Sequence, residues 1–104
     1  MQGVVYLSGP ISGVPDYKSR FARVESELDA LGYTVLSPAK LPGWLGYDQY
    51  IAIDKVYIAQ SEFVVLLDGW EQSKGAVYEA NYAKDIGVKI GIFCDGEIVV
   101  QDKE

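Results

Sequence analysis

The chain has 104 residues, enough to bury the core of one domain and too few for two. Nine Lys and Arg against 15 Asp and Glu give a net charge of −6, so the surface repels polyanions; DNA, RNA and anionic membranes are poor partners, whereas one small phosphate held by backbone amides is compatible. Histidine is absent, which removes Ser-His-Asp and Cys-His catalysis, histidine acid–base chemistry and histidine-based zinc sites, and leaves carboxylates, Lys, Tyr and Ser to do any chemistry.

Val4 to Leu7 is a short apolar run that reads as a strand, and Ser8-Gly9-Pro10 stops it. Tyr17, Phe21, Val24, Leu28 and Leu31 recur at steps of four and three, which predicts an amphipathic helix over residues 17–31. Asp16 is its expected N-cap and Gly32 its stop. Tyr33 to Leu36 reads as a second strand, ended by Ser37-Pro38, and residues 39–46 read as a loop carrying Trp44. A second helix is expected over 47–60, with Tyr47, Tyr50, Ile51, Tyr57 and Ile58 on one side. Phe63 to Leu67 is the most apolar run and reads as a central buried strand. The loop Asp68 to Gln72 follows, then a third helix over 73–86 that packs through Ala76, Ala80, Ala83 and Ile86. Lys89 to Phe93 reads as a fourth strand, Asp95-Gly96 as a hairpin turn and Ile98 to Val100 as a weak fifth strand. The acidic tail from Gln101 to Glu104 is expected to fray.

Strands alternating with helices predict an α/β fold of the small flavodoxin-like (Rossmann-like) kind. It is a three-layer sandwich with a mainly parallel sheet of four or five strands in the order 2-1-3-4, all within one domain spanning residues 1–104. In such a sheet ligands bind beyond the carboxyl ends of the strands, at the switch point between strands 1 and 3. Those ends lead into Ser8–Gly13 and Asp68–Ser73, the two loops richest in glycine and polar residues. No apolar run is long enough to span a membrane. Met1 is followed directly by a strand-like segment with no basic leader, so no signal peptide is expected. A lone cysteine fits a reducing, cytoplasmic setting. Cys94, at the end of the fourth strand, reads as a buried, unreactive thiol.

Several residues in this frame can carry chemistry. Ser8, Gly9, Pro10, Ile11, Ser12 and Gly13 form a loop whose glycines let backbone approach a ligand and whose serines can donate hydrogen bonds; it also reads as a plain tight turn. Ser73 is the expected N-cap of the third helix, where free amides and the positive end of the dipole make an anion site. Gly75 and Glu79 are four apart and share a face, so the glycine leaves open volume over the carboxylate; alternatively it relieves helix–sheet crowding beside a solvated glutamate. Asp54 falls within the apolar stripe of the second helix, costly unless the carboxylate is used, caps a loop, or pairs with Lys55 or Lys40. Asp68 ends the central strand at the switch point, or merely opens an Asp-Gly turn. Tyr6 lies in the first strand, as a site residue or a core aromatic, and Trp44 and Trp70 fall in loops on the ligand side, available to stack on a base or to pack at a dimer contact. No metal-ligand spacing is present.

Val5–Gly13, Tyr50 with Asp54, Ser61-Glu62, and Ser73-x-Gly75-x-x-x-Glu79 together resemble the nucleoside 2-deoxyribosyltransferase-like superfamily over residues 3–93. The resemblance extends to its 2′-deoxynucleoside 5′-phosphate N-hydrolase branch and to short phage and bacterial members. It implies cleavage of an N-glycosidic bond, with Glu79 attacking C1′, Asp54 assisting the base or the water, and Tyr6 positioning the glutamate. Transferases of the family carry aspartate where this chain has Ser73, and the branch that binds 5′-monophosphates carries serine, so the resemblance implies a nucleotide as small-molecule partner. No metal or organic cofactor is implied. Family sites are completed by a neighbouring subunit, which implies a homodimer. Three features depart from the pattern: family transferases are longer and no equivalent of the tail that completes their sites is identified here, Ser61-Glu62 stands where Ser- or Ala-Asp is common, and the 39–49 loop is short. The alternative is a non-catalytic nucleotide- or nucleotide-signal-binding protein of the same fold; a phosphate-sensing or interaction module with an incidental Glu79 is a third reading.

Overall fold

A computed structural model describes residues 3–101. Five strands, β1 (Val4–Ser8), β2 (Thr34–Leu36), β3 (Phe63–Leu66), β4 (Lys89–Cys94) and β5 (Glu97–Val100), form one sheet in the order β2-β1-β3-β4-β5. The first four are parallel and β5 is antiparallel to β4, joined by the expected Asp95-Gly96 turn in which both residues have positive φ, at 50° and 81°. Helix α1 (Tyr17–Ala30) covers one face; α2 (Tyr47–Ala59) and α3 (Lys74–Asp85) cover the other. This is the predicted three-layer flavodoxin-like sandwich. The acidic tail expected to fray lies, beyond Gln101, outside the described residues.

Strand periodicity sorts the core. Val5 and Leu7 of β1, with Val65 and Leu67, face α1 and pack on Phe21 and Leu28. Tyr6, with Val64, Leu66 and Ile90, faces the opposite way and packs on Ile58, Ala80 and Ala83. Both layers are dry: Val5, Tyr6, Leu7, Leu28, Val64 and Val65 are fully buried, each removal from water being worth roughly 1.5–3 kcal/mol for the larger aliphatic side chains. The alanine stripe of α3 brings its backbone close to the sheet. Ile86, expected in that stripe, is instead 43% exposed, because the helix ends at Asp85 and Ile86 sits at its C-cap, turned out of the packing face.

Three further expectations are corrected. Asp16 does occupy the N-cap position of α1, but its side chain makes no capping bond; the helix start is tied by Tyr17 N–H to Val14 C=O at 3.2 Å. Cys94 is exposed, since it is the last residue of β4, at the mouth of the hairpin and past the layer that α3 covers. Trp70 is half-buried against the α2/α3 core rather than presented to a ligand. Among the described residues no helix is long and apolar enough to cross a membrane.

Candidate active site

A cleft of about 600 Å³ opens at the carboxyl ends of β1 and β3, at the predicted switch point. Three segments wall it. Gly9, Pro10, Ile11 and Ser12 follow β1; Tyr47, Tyr50, Ile51 and Asp54 come from α2; Ser73, Lys74, Gly75, Ala76 and Glu79 come from the start of α3. Gly9 is where it is because a Cβ there would meet Leu67 Cβ at 2.8 Å, so the loop crosses the end of β3 at a distance only glycine permits. The α2 contributors are spaced i, i+3, i+4 and i+7, one face of a helix. Ser73 caps α3 as expected, its Oγ accepting from Ala76 N–H at 3.2 Å. The space over Gly75 is open: a Cβ there would find Ser73 Oγ no nearer than 4.0 Å.

Glu79 and Asp54 stand at the inner end of the cleft, each 7% exposed. Glu79 is held at both oxygens. Tyr6 Oη donates to Oε2 at 2.9 Å and Ser8 Oγ donates to Oε1 at 2.7 Å. Asp54 belongs to the same cluster through its electrostatic coupling to Glu79 and Tyr6, yet its Oδ1 is buried without a hydrogen-bond partner. Neither lysine weighed as its partner reaches it: Lys40 pairs with Glu25 at 2.6 Å, and Lys55 lies over the rings of Tyr82 and Tyr78 at 5.3 and 6.0 Å.

Burial drives the electrostatics. Glu79 is pushed up to about 8, first by loss of solvent and then by the Asp54 carboxyl; Ser8 and Tyr6 pull it partway back, Ser8 the more strongly. Burial also raises Asp54, against hydrogen bonding from Glu79 and Tyr6. Two buried carboxyls in contact titrate as a pair, and both are raised. Tyr6 is raised far out of its titration range by burial and by both carboxylates, so its phenol stays a donor.

The structure thus brings Tyr6, Ser8, Asp54, Ser73, Gly75 and Glu79 to one place. Ser8 does not line the cleft as a ligand donor; it is fully buried beneath Gly9 and spends its proton on Glu79. Gly13 and Asp68 lie outside the cleft: Gly13 is a surface turn with φ of 78°, and Asp68 is exposed, offering only its backbone carbonyl to Arg20 at 3.4 Å. Trp44 is 77% exposed and does not line the cleft either; Tyr17, Tyr47 and Tyr50 do. Tyr50 is fixed by donating to Pro42 C=O at 2.6 Å. Lys74 was not anticipated, and is the sole cation among the lining residues. Among the described residues no group of three or more His, Cys, Asp and Glu is placed to hold a metal ion.

The chain is similar in structure to a CMP N-glycosidase from Clostridium botulinum, with TM-score 0.66 and 21% identity over 86% of this chain and 69% of that one. It is similar to a 2-deoxyribosyltransferase from Leishmania mexicana, with TM-score 0.72 and 16% identity over 97% and 79% of the two chains. A 2-deoxyribosyltransferase from Bacillus psychrosaccharolyticus gives TM-score 0.65 and 20% identity over 86% and 71%. No curated protein sequence matches the chain. Carrying the fold of the nucleoside 2-deoxyribosyltransferase-like superfamily, the chain belongs, by a match over residues 3–92, to the family described as a domain of unknown function, DUF4406.

Proposed function

We propose that this protein cleaves the N-glycosidic bond of a nucleoside 5′-monophosphate with Glu79 as nucleophile. The observation that carries the reading is the buried Glu79–Asp54 pair at the inner end of an open cleft, with Tyr6 and Ser8 donating to Glu79. That is the equipment of a retaining glycosidase, which needs one carboxylate and one carboxylic acid side by side. A Glu79 oxygen bonds to C1′ as the C1′–N bond breaks. The base leaves with the electron pair of that bond and takes the proton from Asp54. Water then attacks C1′, Asp54 accepts its proton, and Glu79 is released as carboxylate; a second base in place of water gives transfer.

The monophosphate is supported by the α3 terminus. Ser73 Oγ spends its acceptor role on Ala76, so its proton is free to donate. The N–H groups of Lys74 and Gly75, in the first turn, have no partner within the helix. Lys74 adds the cleft's one positive charge against two carboxyls. A carboxylate in place of Ser73 would repel the phosphate. One structural neighbour is itself named for CMP, a nucleoside monophosphate. Tyr17, Tyr47, Tyr50 and Leu41 make the opposite wall aromatic and apolar, suited to a base.

The test is incubation with a panel of nucleosides and 5′-monophosphates, reading free base by chromatography and affinity by calorimetry. Base release with a monophosphate bound at least ~10-fold more tightly than its nucleoside is expected, since two or three charge-assisted hydrogen bonds supply more than that. Ser73→Asp should reverse the ratio. Binding without release would replace this reading with that of a nucleotide-binding protein, and equal affinities would remove the phosphate.

A further inference from the structure

Glu79 is gripped by two hydroxyls that come from one face of one strand. Tyr6 and Ser8 are two residues apart in β1, so both point toward α3, and each takes one oxygen of the carboxylate. Ser8 is wholly buried and is not among the residues lining the cleft, so it does not touch a ligand there. Its Oγ–H is aimed at Oε1 at 2.7 Å, the shorter of the two bonds. The other carboxyl of the pair is treated differently: Asp54 keeps one buried oxygen, Oδ1, with no donor at all.

This asymmetry bears on how readily Glu79 ionises. A hydroxyl that donates to a carboxylate favours its ionised form, and an oxygen buried without a donor favours the protonated form. We propose that Ser8 is a positioning residue that favours the ionised form of Glu79 against the burial that opposes it, and fixes the carboxylate plane for attack from the cleft side. Two donors on Glu79 against an orphaned oxygen on Asp54 distinguish two chemically similar groups. The inference rests on the reading of Glu79 as nucleophile and adds to it how the ionised carboxylate is held.

The test separates the two claims. Protein labelled with 13C at the glutamate side-chain carboxyl is titrated by NMR without ligand, the Glu79 signal being identified by its loss in Glu79→Gln. Ser8→Ala is expected to raise the Glu79 midpoint by about one pH unit, a tenfold change in its protonation equilibrium. Ser8→Thr, which keeps the hydroxyl on a strand position that suits a β-branched residue, is expected to restore it. On the monophosphate the panel identifies, kcat of Ser8→Ala should fall about tenfold at neutral pH with KM unchanged, and recover in Ser8→Thr. An unmoved Glu79 midpoint in Ser8→Ala, or a loss carried by KM, overturns the role of Ser8. So does a Ser8→Thr variant that behaves like Ser8→Ala. If the wild type releases no base, the nucleophile reading fails alone, and the NMR midpoints still decide whether Ser8 controls the ionisation of Glu79.

Discussion

Replacing Glu79 by glutamine tests the buried carboxyl through stability as well as through catalysis. Glutamine is isosteric, so Tyr6 and Ser8 keep partners and the fold should persist. The sign follows from linkage. In the unfolded chain the carboxyl ionises at its ordinary 4.5, whereas in the folded protein it holds a proton until about 8. The folded state therefore binds more protons across that interval, and wild-type stability falls as pH rises through it. At ~1.4 kcal/mol per pH unit the full interval is worth on the order of 5 kcal/mol for a group this deeply buried. Glutamine has no such slope. Melting curves of both proteins at pH 5 and pH 9 should coincide most nearly at the acid end. At the alkaline end the variant should be the more stable by ~2 kcal/mol or more, about 10 °C in midpoint for a chain of this length. Base release by the variant should fall by a factor on the order of 10³ or more, because the attacking atom is gone. Parallel stability curves would refute the raised ionisation of Glu79, and wild-type base release by the variant would refute its role as nucleophile.

kcat/KM should rise with pH towards about 8 as Glu79 ionises to the attacking carboxylate, and Asp54→Asn should move that rise to lower pH, because the Asp54 carboxyl raises Glu79. Lys74→Ala should weaken binding of a monophosphate several-fold while leaving the matching nucleoside unaffected in calorimetry, because it removes the one cation of the cleft. Gly75→Ala should raise the melting midpoint slightly, by ~0.5 kcal/mol of helix preference, and cut kcat/KM tenfold or more, since the added methyl would project into the open space beside Ser73. Light scattering should report a homodimer, with Tyr47, Val56 and Tyr78, at 73%, 59% and 40% exposure, buried between copies.

Periodicity carried most of the fold. The steps of four and three from Tyr17 to Leu28, the run Phe63–Leu67 and the Asp95-Gly96 pair each map onto the element they predicted. The switch point then located the cleft without any motif, and the offset of four between Gly75 and Glu79 put both on its wall. What escaped the sequence was direction. The loop after β1 read as a row of ligand donors, but Ser8 is still inside the strand, where alternation turns its side chain under the sheet's α2/α3 face. The pairing of Tyr6 with Ser8 at a spacing of two was the available signal. Tyr47, Tyr50, Ile51 and Asp54 likewise form a helical face, which marked α2 as a wall of the site rather than a purely packed helix. Lys74 had no periodic signature; only the folded charge balance, with two carboxyls opposite, gives it meaning. Cys94 ended exposed because the last residue of a strand can escape the layer that buries the strand.

The family match ends at residue 92, while the sheet continues into β5 and its ladder extends through Gln101 N–H to Ile90 C=O at 2.8 Å. β5 gives nothing to the cleft. Its consequence is colloidal. Without it, β4 would form the rim of the sheet, offering a row of bare amides and carbonyls along Gly91 to Cys94 to any neighbouring chain. The antiparallel hairpin closes that rim with a short strand that carries Glu97 at its start. A chain truncated after Cys94 would keep every residue proposed here for chemistry and would leave the β4 edge open to pairing with a neighbouring chain.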